Sequence, residues 1–241
     1  IVEYIDQRLA LIYRQHGHGP GTTPTAVLMA AADGLSRSIA TREDAMPLYE
    51  QVVKRSEEPK QIGDALWQIG VLGRAINTRE SIEQSNAALT QLASDTPDDP
   101  RAMGAISSAI GASSADDPDA LRQRLQLAID QFPQSPAIDL WRLQLAELQT
   151  SFARLDTLDP ITPNTREGVL AGELYEQSVQ GMLDRYDDPQ VRLGLVRRMQ
   201  DAARRFGLSS EPLWTKRLAI SEATQEPQQA LARIDTLIEQ A

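Results

Sequence analysis

Apolar side chains recur along this chain at intervals of three, four and seven residues. Between Pro118 and Phe132, the apolar positions that share one stripe are Leu121, Leu125, Ala128 and Ile129. After Thr78, the corresponding positions are Ile82, Leu89, Leu92 and Ala93. Such spacing places apolar side chains on one face of a helix, and that face must be buried against a neighbouring element. The pattern predicts an all-α protein with about a dozen helices, most of about 14 residues, and few places for a strand.

Prolines preceded by a polar or acidic residue mark the predicted helix starts. Proline suits the first helical turn because its missing N–H would be unpaired there, and a preceding Ser, Thr or Asp can accept the free N–H groups. Several of these pairs lie about 18 or about 35 residues apart, the lengths of one helix with its turn and of an αα-hairpin. The pairs are Thr23-Pro24, Glu58-Pro59, Asp99-Pro100, Asp117-Pro118, Ser135-Pro136, Asp188-Pro189, Glu211-Pro212 and Glu226-Pro227.

The three tryptophans, Trp67, Trp141 and Trp214, recur at nearly equal intervals, and each follows a leucine. We interpret each Leu-Trp pair as packing the first helix of a hairpin against its neighbours, a core role that we favour over ligand stacking. The predicted helices give four helix steps from Trp67 to Trp141 but three from Trp141 to Trp214. The alternation of first and second helices therefore slips in the second interval.

Two connecting segments differ from the short polar turns elsewhere. Residues 16–23 (HGHGPGTT) predict a flexible corner after a first helix near residues 1–15. Residues 156–165 (DTLDPITPNT) hold two prolines and precede a longer predicted helix near residues 166–186. Because the alternation slips there, we predict a boundary between two helical arrays. The predicted division is a repeat array over residues 1–155, a proline-containing joint over 156–165, and a C-terminal helical-hairpin array over 166–241.

Two units carry the marks of a known repeat. Residues 66–97 have Leu72-Gly73 near the end of a first helix, with Ser85, Leu89 and Pro97 following. Residues 102–133 have Ala109, Leu125, Ala128 and Pro133 at the corresponding places. In these units, about a quarter of the chain, the sequence resembles a degenerate tetratricopeptide (TPR) repeat protein. The resemblance implies a right-handed αα-solenoid of antiparallel helices, in which small residues permit close helix crossing and the final proline ends the second helix.

Composition supports helices and restricts the partners. Aromatic residues make up only 5% of the chain, so the residues that favour strands are scarce. The formal net charge of −10 disfavours binding to nucleic acid or to an anionic membrane surface. No stretch approaches the roughly 18 apolar residues that span a bilayer, so we predict no direct membrane insertion. Because the chain starts at Ile1 without a signal-like segment, we expect a mature or excised piece of a longer protein.

The chain contains no cysteine. This composition excludes disulfides and thiolate chemistry, and it is compatible with an oxidising compartment. We therefore predict an extracytoplasmic (periplasmic) location in a bacterium, with a cytoplasmic location as the alternative.

The search for catalytic and cofactor motifs yields few candidates. The chain has no phosphate-binding P-loop, zinc-protease helix, serine elbow or paired-cysteine motif. His16 and His18 could chelate a transition metal from their loop, but a third ligand is not evident, and we predict neither a metal nor a cofactor. The acidic clusters at residues 95–99 and 116–119 lack the glycine and glutamate of an EF-hand loop, so we predict that they cap helix starts.

Arginines concentrate on one predicted helix, near residues 189–206. Positions 197 and 204 are seven residues apart and share a face, as do positions 198 and 205. One interpretation is a solvated face paired with Asp184, Asp187, Asp188 and Asp201. The other is a docking patch for an acidic partner segment, which requires exposed arginines that neighbouring acids do not saturate. The candidate partner-binding residues are Arg185, Arg192, Arg197, Arg198, Arg204 and Arg205.

Three classes of function remain. The first is a non-enzymatic helical-repeat scaffold that binds another protein or peptide segment along a concave surface; by analogy of fold, a bacterial envelope or export assembly would be its setting. The second is an all-α polysaccharide-active enzyme, which requires a cleft with two carboxylates and nearby aromatic residues. The third is a self-associating structural subunit, that is, a homo-oligomer. We favour the scaffold.

Overall fold

A computed structural model of the chain describes residues 24–113 and 117–225. These residues form eleven α-helices and no strand, which confirms the all-α prediction for the described part. The chain divides into two compact units, Ile1–Ser135 and Pro136–Ala241. The helices are α1 (Thr25–Ser36), α2 (Arg42–Arg55), α3 (Pro59–Ile76), α4 (Arg79–Asp95), α5 (Ala102–Gly111), α6 (Pro118–Gln131), α7 (Ile138–Glu147), α8 (Ser151–Leu158), α9 (Arg166–Leu183), α10 (Pro189–Phe206) and α11 (Glu211–Gln225).

Most helices begin at or near the predicted positions. Helices α3, α6 and α10 start at the proline of a predicted pair. The Asp117 carboxylate accepts from the Ala120 N–H, and the Asp188 carboxylate accepts from the first free N–H groups of α10. Helices α5 and α7 begin two residues after their prolines, at Ala102 and Ile138. The pair Glu226-Pro227, the predicted first helix near residues 1–15 and the loop 16–23 lie outside the described residues.

In the first unit, each helix from α1 to α6 packs against the next one along the chain. The core comes from the apolar stripes of these helices and includes Leu28, Tyr49, Leu66, Leu89 and Leu92, all less than 4% exposed. Of the stripe that the sequence predicts on α4, Leu89, Leu92 and Ala93 are buried and supply one face of this core, whereas Ile82 is half-buried.

Helices α3 and α4 cross closely through two glycines. A methyl group on Gly70 would lie 2.3 Å from the Leu89 side chain, and one on Gly73 would lie 2.2 Å from the Ser81 carbonyl oxygen. The Ser81 hydroxyl donates to the Gly73 carbonyl at 2.8 Å, and the Ser85 hydroxyl donates to the Gly70 carbonyl at 2.6 Å. Gly70 contacts Leu89, whereas Gly73, further along α3, contacts Ser81, nearer the start of α4. The two helices are therefore antiparallel. This crossing has the small residues that the TPR resemblance implies, while the family itself stays a resemblance.

In the second unit, α7 to α11 also pack in sequence along the chain. The buried core includes Leu155, Ile161, Tyr175, Met199 and Trp214. Helices α9 and α10 are antiparallel, because Gly172 lies against Phe206 while Tyr175, further along α9, contacts Arg198, nearer the start of α10.

The tryptophan interval depends on the short helix α8, which the sequence pattern did not predict. With α8 counted, Trp67 in α3, Trp141 in α7 and Trp214 in α11 are separated by four helix steps in both intervals. The predicted count of three steps in the second interval is therefore wrong. The three tryptophans therefore lie on every fourth helix along the chain.

The predicted core role of the Leu-Trp pairs holds for the tryptophans better than for the leucines. Trp141 and Trp214 are 3% and 1% exposed, and Trp67 is half-buried against the core of the first unit. Leu66 is buried, but Leu140 and Leu213 are exposed. A leucine next to a core residue on a helix points about 100° away from it, so only one member of such a pair needs to be buried.

The predicted joint at residues 156–165 lies within the second unit. It contains the end of α8 and the segment that leads to α9, which begins at Arg166 as predicted. Ile161 in this segment is 1% exposed and belongs to the core. The two compact units meet between Ser135 and Pro136, whereas the repeat pattern places a boundary at residues 156–165. The boundary between repeat arrays at 156–165 stays a prediction.

Candidate functional site

The arginine-rich helix is α10, which packs against both α9 and α11. On the side towards α11, the Arg197 guanidinium donates to the Glu222 carboxylate at 3.2 Å. On the opposite side, the Arg198 guanidinium donates to Asp159 at 2.6 Å and to Asp156 at 2.9 Å. It also donates to the Tyr175 hydroxyl at 3.1 Å. Arg198 therefore connects α10 to α8 and α9.

The other four candidate arginines differ in their surroundings. Arg205 donates to the Ile161 carbonyl at 2.7 Å and lies over the Phe206 ring. Arg192 donates to the carbonyls of Leu183 and Tyr186, and so closes the end of α9. The Arg204 side chain is 68% exposed, and its guanidinium lies 4.0 Å from the Glu211 carboxylate. Arg185 follows the end of α9 and is exposed.

The seven-residue spacing predicts the faces of α10 correctly. Arg197 and Arg204 both reach α11, whereas Arg198 and Arg205 both reach the segment that follows α8. The ion pairs named above join α10 to carboxylates on other elements, while the sequence interpretation placed the partner acids on α10 and just before it. The docking interpretation requires exposed arginines that neighbouring acids do not saturate. Arg197, Arg198 and Arg205 make contacts within the unit, and Arg204 is largely exposed.

The pKa values around Arg198 reflect this packing. Burial lowers the pKa of Arg198, but the hydrogen bonds to Asp156 and Tyr175 outweigh it, so the pKa is raised. Burial, reinforced by the charge of Asp159, raises the pKa of Tyr175 to about 12. Both shifts follow from ion pairing and burial between helices, so we assign this cluster a structural role.

The first unit carries an open groove that the sequence analysis did not predict. It consists of three adjoining cavities of about 360, 390 and 430 Å³, which lie beside the second helices of successive hairpins, α2, α4 and α6. The first two cavities share Glu50 and Gln84, and the second and third share Ala87 and Gln91. We call the surface that these adjoining cavities form the α4 groove.

One face of α4 runs along the whole groove. Its side chains are Glu80, Gln84, Ala87 and Gln91, spaced four, three and four residues apart, followed by Asp95. The single methyl group of Ala87 borders both the second and the third cavity. A larger side chain at position 87 would therefore obstruct the passage between them.

The groove combines an apolar middle with polar ends. Val53, Leu66, Ile69 and Ala88 contribute to the middle cavity. The amides of Gln84, Gln91 and Gln123 lie along the groove and can both donate and accept hydrogen bonds. Such a surface can hold the alternating backbone N–H and C=O groups of a polypeptide while apolar side chains enter the middle cavity.

The sequence contains a weak signal for this groove. The polar stripe on α4 lies opposite its apolar stripe, and a solvated helix face shows the same pattern. What makes the stripe a groove is its position between α2 and α6, which a sequence pattern does not reveal.

The metal and acidic candidates can be placed only in part. His16 and His18 lie outside the described residues, as does Asp116. Within residues 24–113 and 117–225, no group of three or more His, Asp or Glu side chains is arranged to hold a metal ion. The capping prediction is confirmed at Asp117. Asp99 accepts from the Arg101 backbone N–H at 2.8 Å and pairs with its guanidinium, which also reaches Asp64 on α3.

Comparison of the chain with protein-family models, with curated proteins and with solved structures gives no match in any of the three. Across the part of the chain that the structure describes, none of the helices combines the length and the apolar character required to cross a bilayer.

Proposed function

We propose that this chain is a non-enzymatic helical-repeat scaffold, and that the α4 groove binds a segment of another protein. The observation that carries the proposal is the series of three cavities along α2, α4 and α6, in which each cavity shares lining residues with the next. Stacked helical hairpins of a solenoid repeat such a groove from unit to unit and so form extended binding surfaces. A TPR-like arrangement with right-handed stacking is part of this proposal.

The dimensions of the groove suit a polypeptide. The stripe from Glu80 to Asp95 spans fifteen helical steps, or about 22 Å. An extended chain covers that length with about seven residues. The cavities are open to solvent rather than enclosed, which suits a ligand that enters from the side.

The aromatic residues favour the scaffold over the polysaccharide-active enzyme. Sugar clefts use aromatic side chains as stacking platforms, but Trp141 and Trp214 are buried in the second unit. The described residues that line the α4 groove include no aromatic side chain. Sedimentation at several protein concentrations tests the remaining alternative, self-association. The periplasmic location and the setting in an envelope assembly stay predictions.

Peptide selection tests the proposed function directly. The wild-type protein is panned against a phage-displayed library of random peptides of about twelve residues, a length that exceeds the groove. Recovered peptides are then measured against Ala87→Trp, which obstructs the groove, and against Ala219→Trp, a matched change at an exposed position of α11. Circular dichroism and thermal melting check that both variants are folded.

We expect peptides that bind the wild type and Ala219→Trp but lose tenfold or more in affinity for Ala87→Trp. A tenfold loss corresponds to about 1.4 kcal/mol. If the selection yields no binding peptide, or if the folded Ala87→Trp variant binds every recovered peptide as the wild type does, the groove is not a binding site and the proposal is wrong.

A further inference from the structure

We infer that the polypeptide segment taken by the α4 groove is basic at one end, and that it docks Lys or Arg side chains into the cavity between α2 and the start of α4. This inference rests on the proposed function and specifies the chemistry of the ligand. It follows from the distribution of charged side chains along the groove.

Three carboxylates line the first cavity: Glu43, Glu50 and Glu80. Among the described residues that line it, none is basic. The arginines next to two of these acids in the sequence are engaged elsewhere, since Arg42 donates to the Ala75 carbonyl and Arg79 pairs with Glu83. This end of the groove therefore has a concentration of negative charge that its own lining does not neutralise.

The three carboxylates converge because of the repeat geometry. Glu43 and Glu80 both lie in the first turn of their helices, α2 and α4, where negative charge complements the helix dipole. Each is a second helix of a hairpin, so their first turns lie at the same end of the groove. Glu50, about two turns further along α2, extends the charge into the second cavity.

The remaining cavities are balanced in charge. The middle cavity has Glu50 and Lys54 beside its apolar residues, and the third has Asp95 and Arg124. Charge complementarity thus places the basic end of the ligand at the first cavity. The next residues of the ligand enter the apolar middle, so an aliphatic side chain is expected there. Polar residues follow at the third cavity, beside Thr90 and Gln123.

The test uses the peptides selected above and two triple variants. Glu43→Gln, Glu50→Gln and Glu80→Gln together remove the charges of the first cavity. Glu57→Gln, Glu147→Gln and Glu173→Gln together remove the same number of charges from exposed positions outside the groove. We expect the selected peptides to carry Lys or Arg next to aliphatic residues, and to lose at least tenfold in affinity for the groove variant. The loss for the surface variant should be less than threefold.

The outcomes separate this inference from the proposed function. If Ala87→Trp abolishes binding but the selected peptides have no excess of basic residues, the groove binds peptides and the inference about charge is wrong. The inference is also wrong if both triple variants bind equally well while folded. Loss of binding confined to the folded groove variant, with basic residues enriched in the selected peptides, supports it.

Discussion

Arg197 and Arg204 occupy equivalent positions on α10, seven residues apart, but their partners differ in burial. Arg197 pairs at 3.2 Å with Glu222, whose side chain is only 11% exposed. Arg204 is 68% exposed and lies 4.0 Å from Glu211. A buried carboxylate that loses its partner retains its desolvation cost, whereas an exposed one is solvated by water. The same substitution should therefore have different effects at the two positions.

We predict that Arg197→Glu lowers the free energy of unfolding by about 1–2 kcal/mol, because it places a second carboxylate beside Glu222. The expected loss is smaller than for a fully buried pair, because the Arg197 side chain is 45% exposed. Arg204→Glu should change the free energy of unfolding by less than about 0.5 kcal/mol. Urea denaturation of both variants measures the difference. Equal effects at the two positions would show that the pair with Glu222 does not stabilise the fold.

The partners of these arginines illustrate how far sequence reasoning extends at single positions. Spacing along α10 predicts which arginines share a face, since that depends only on helical geometry. Arg198, however, reaches Asp156 and Asp159, and Arg197 reaches Glu222, which are 25 to 42 residues distant in the chain. The sequence interpretation favoured nearby acids because the packing of α8 and α11 against α10 is not encoded in any local pattern.

Helix crossings depend on a few small residues, and the chain offers a controlled comparison between two glycines. A methyl group on Gly73 in α3 would lie 2.2 Å from the Ser81 carbonyl oxygen and 2.8 Å from the Ser85 side chain. A methyl group on Gly104 in α5 would meet no atom within 4 Å. Both residues are inside helices, so alanine has the same intrinsic advantage over glycine at each position.

We predict that Gly73→Ala destabilises the protein by about 1–3 kcal/mol, because the backbone of α4 must move away from α3. Gly104→Ala should stabilise it by up to about 1 kcal/mol, which is the helix propensity term alone. Thermal or urea denaturation of the two variants checks both signs. A neutral Gly73→Ala variant would contradict the close α3–α4 crossing.

The short helix α8 is the element that the sequence pattern did not predict. It has eight residues, from Ser151 to Leu158, and it follows Thr150 without a proline to mark its start. Two turns are too few to establish a periodic apolar pattern. In addition, Ser151 adopts a positive φ of 59°, which is uncommon for a residue other than glycine and is not predicted from the sequence. The longer helices α3, α6 and α10 have both a marked start and a full apolar stripe, and these were predicted well.

Across the molecule, the sequence predicts the class of fold but not the binding surface. Helical period, proline positions and composition each arise locally, so they indicate an all-α chain of hairpins without knowledge of packing. The α4 groove requires α2, α4 and α6 to lie side by side, and its lining residues are spread from Glu43 to Leu127. Such a surface forms only when distant segments pack together. Its acidic end does not stand out in the sequence, because acidic residues outnumber basic residues in the chain as a whole.

The net charge of −10 gives the whole molecule a long-range attraction for any basic peptide, and this must be separated from contact in the groove. Both triple Glu→Gln variants have the same formal net charge of −7, so diffusional steering should weaken to a similar extent in each. We predict that their association rate constants for a selected basic peptide fall by similar factors, and that these differences shrink at high salt. The dissociation rate constant should rise only for the variant that lacks Glu43, Glu50 and Glu80, because it alone loses close charge pairs in the complex. Surface plasmon resonance at two salt concentrations measures both constants. Equal dissociation rates for the two variants would mean that the acidity of the molecule as a whole, and not the first cavity, attracts the basic peptide.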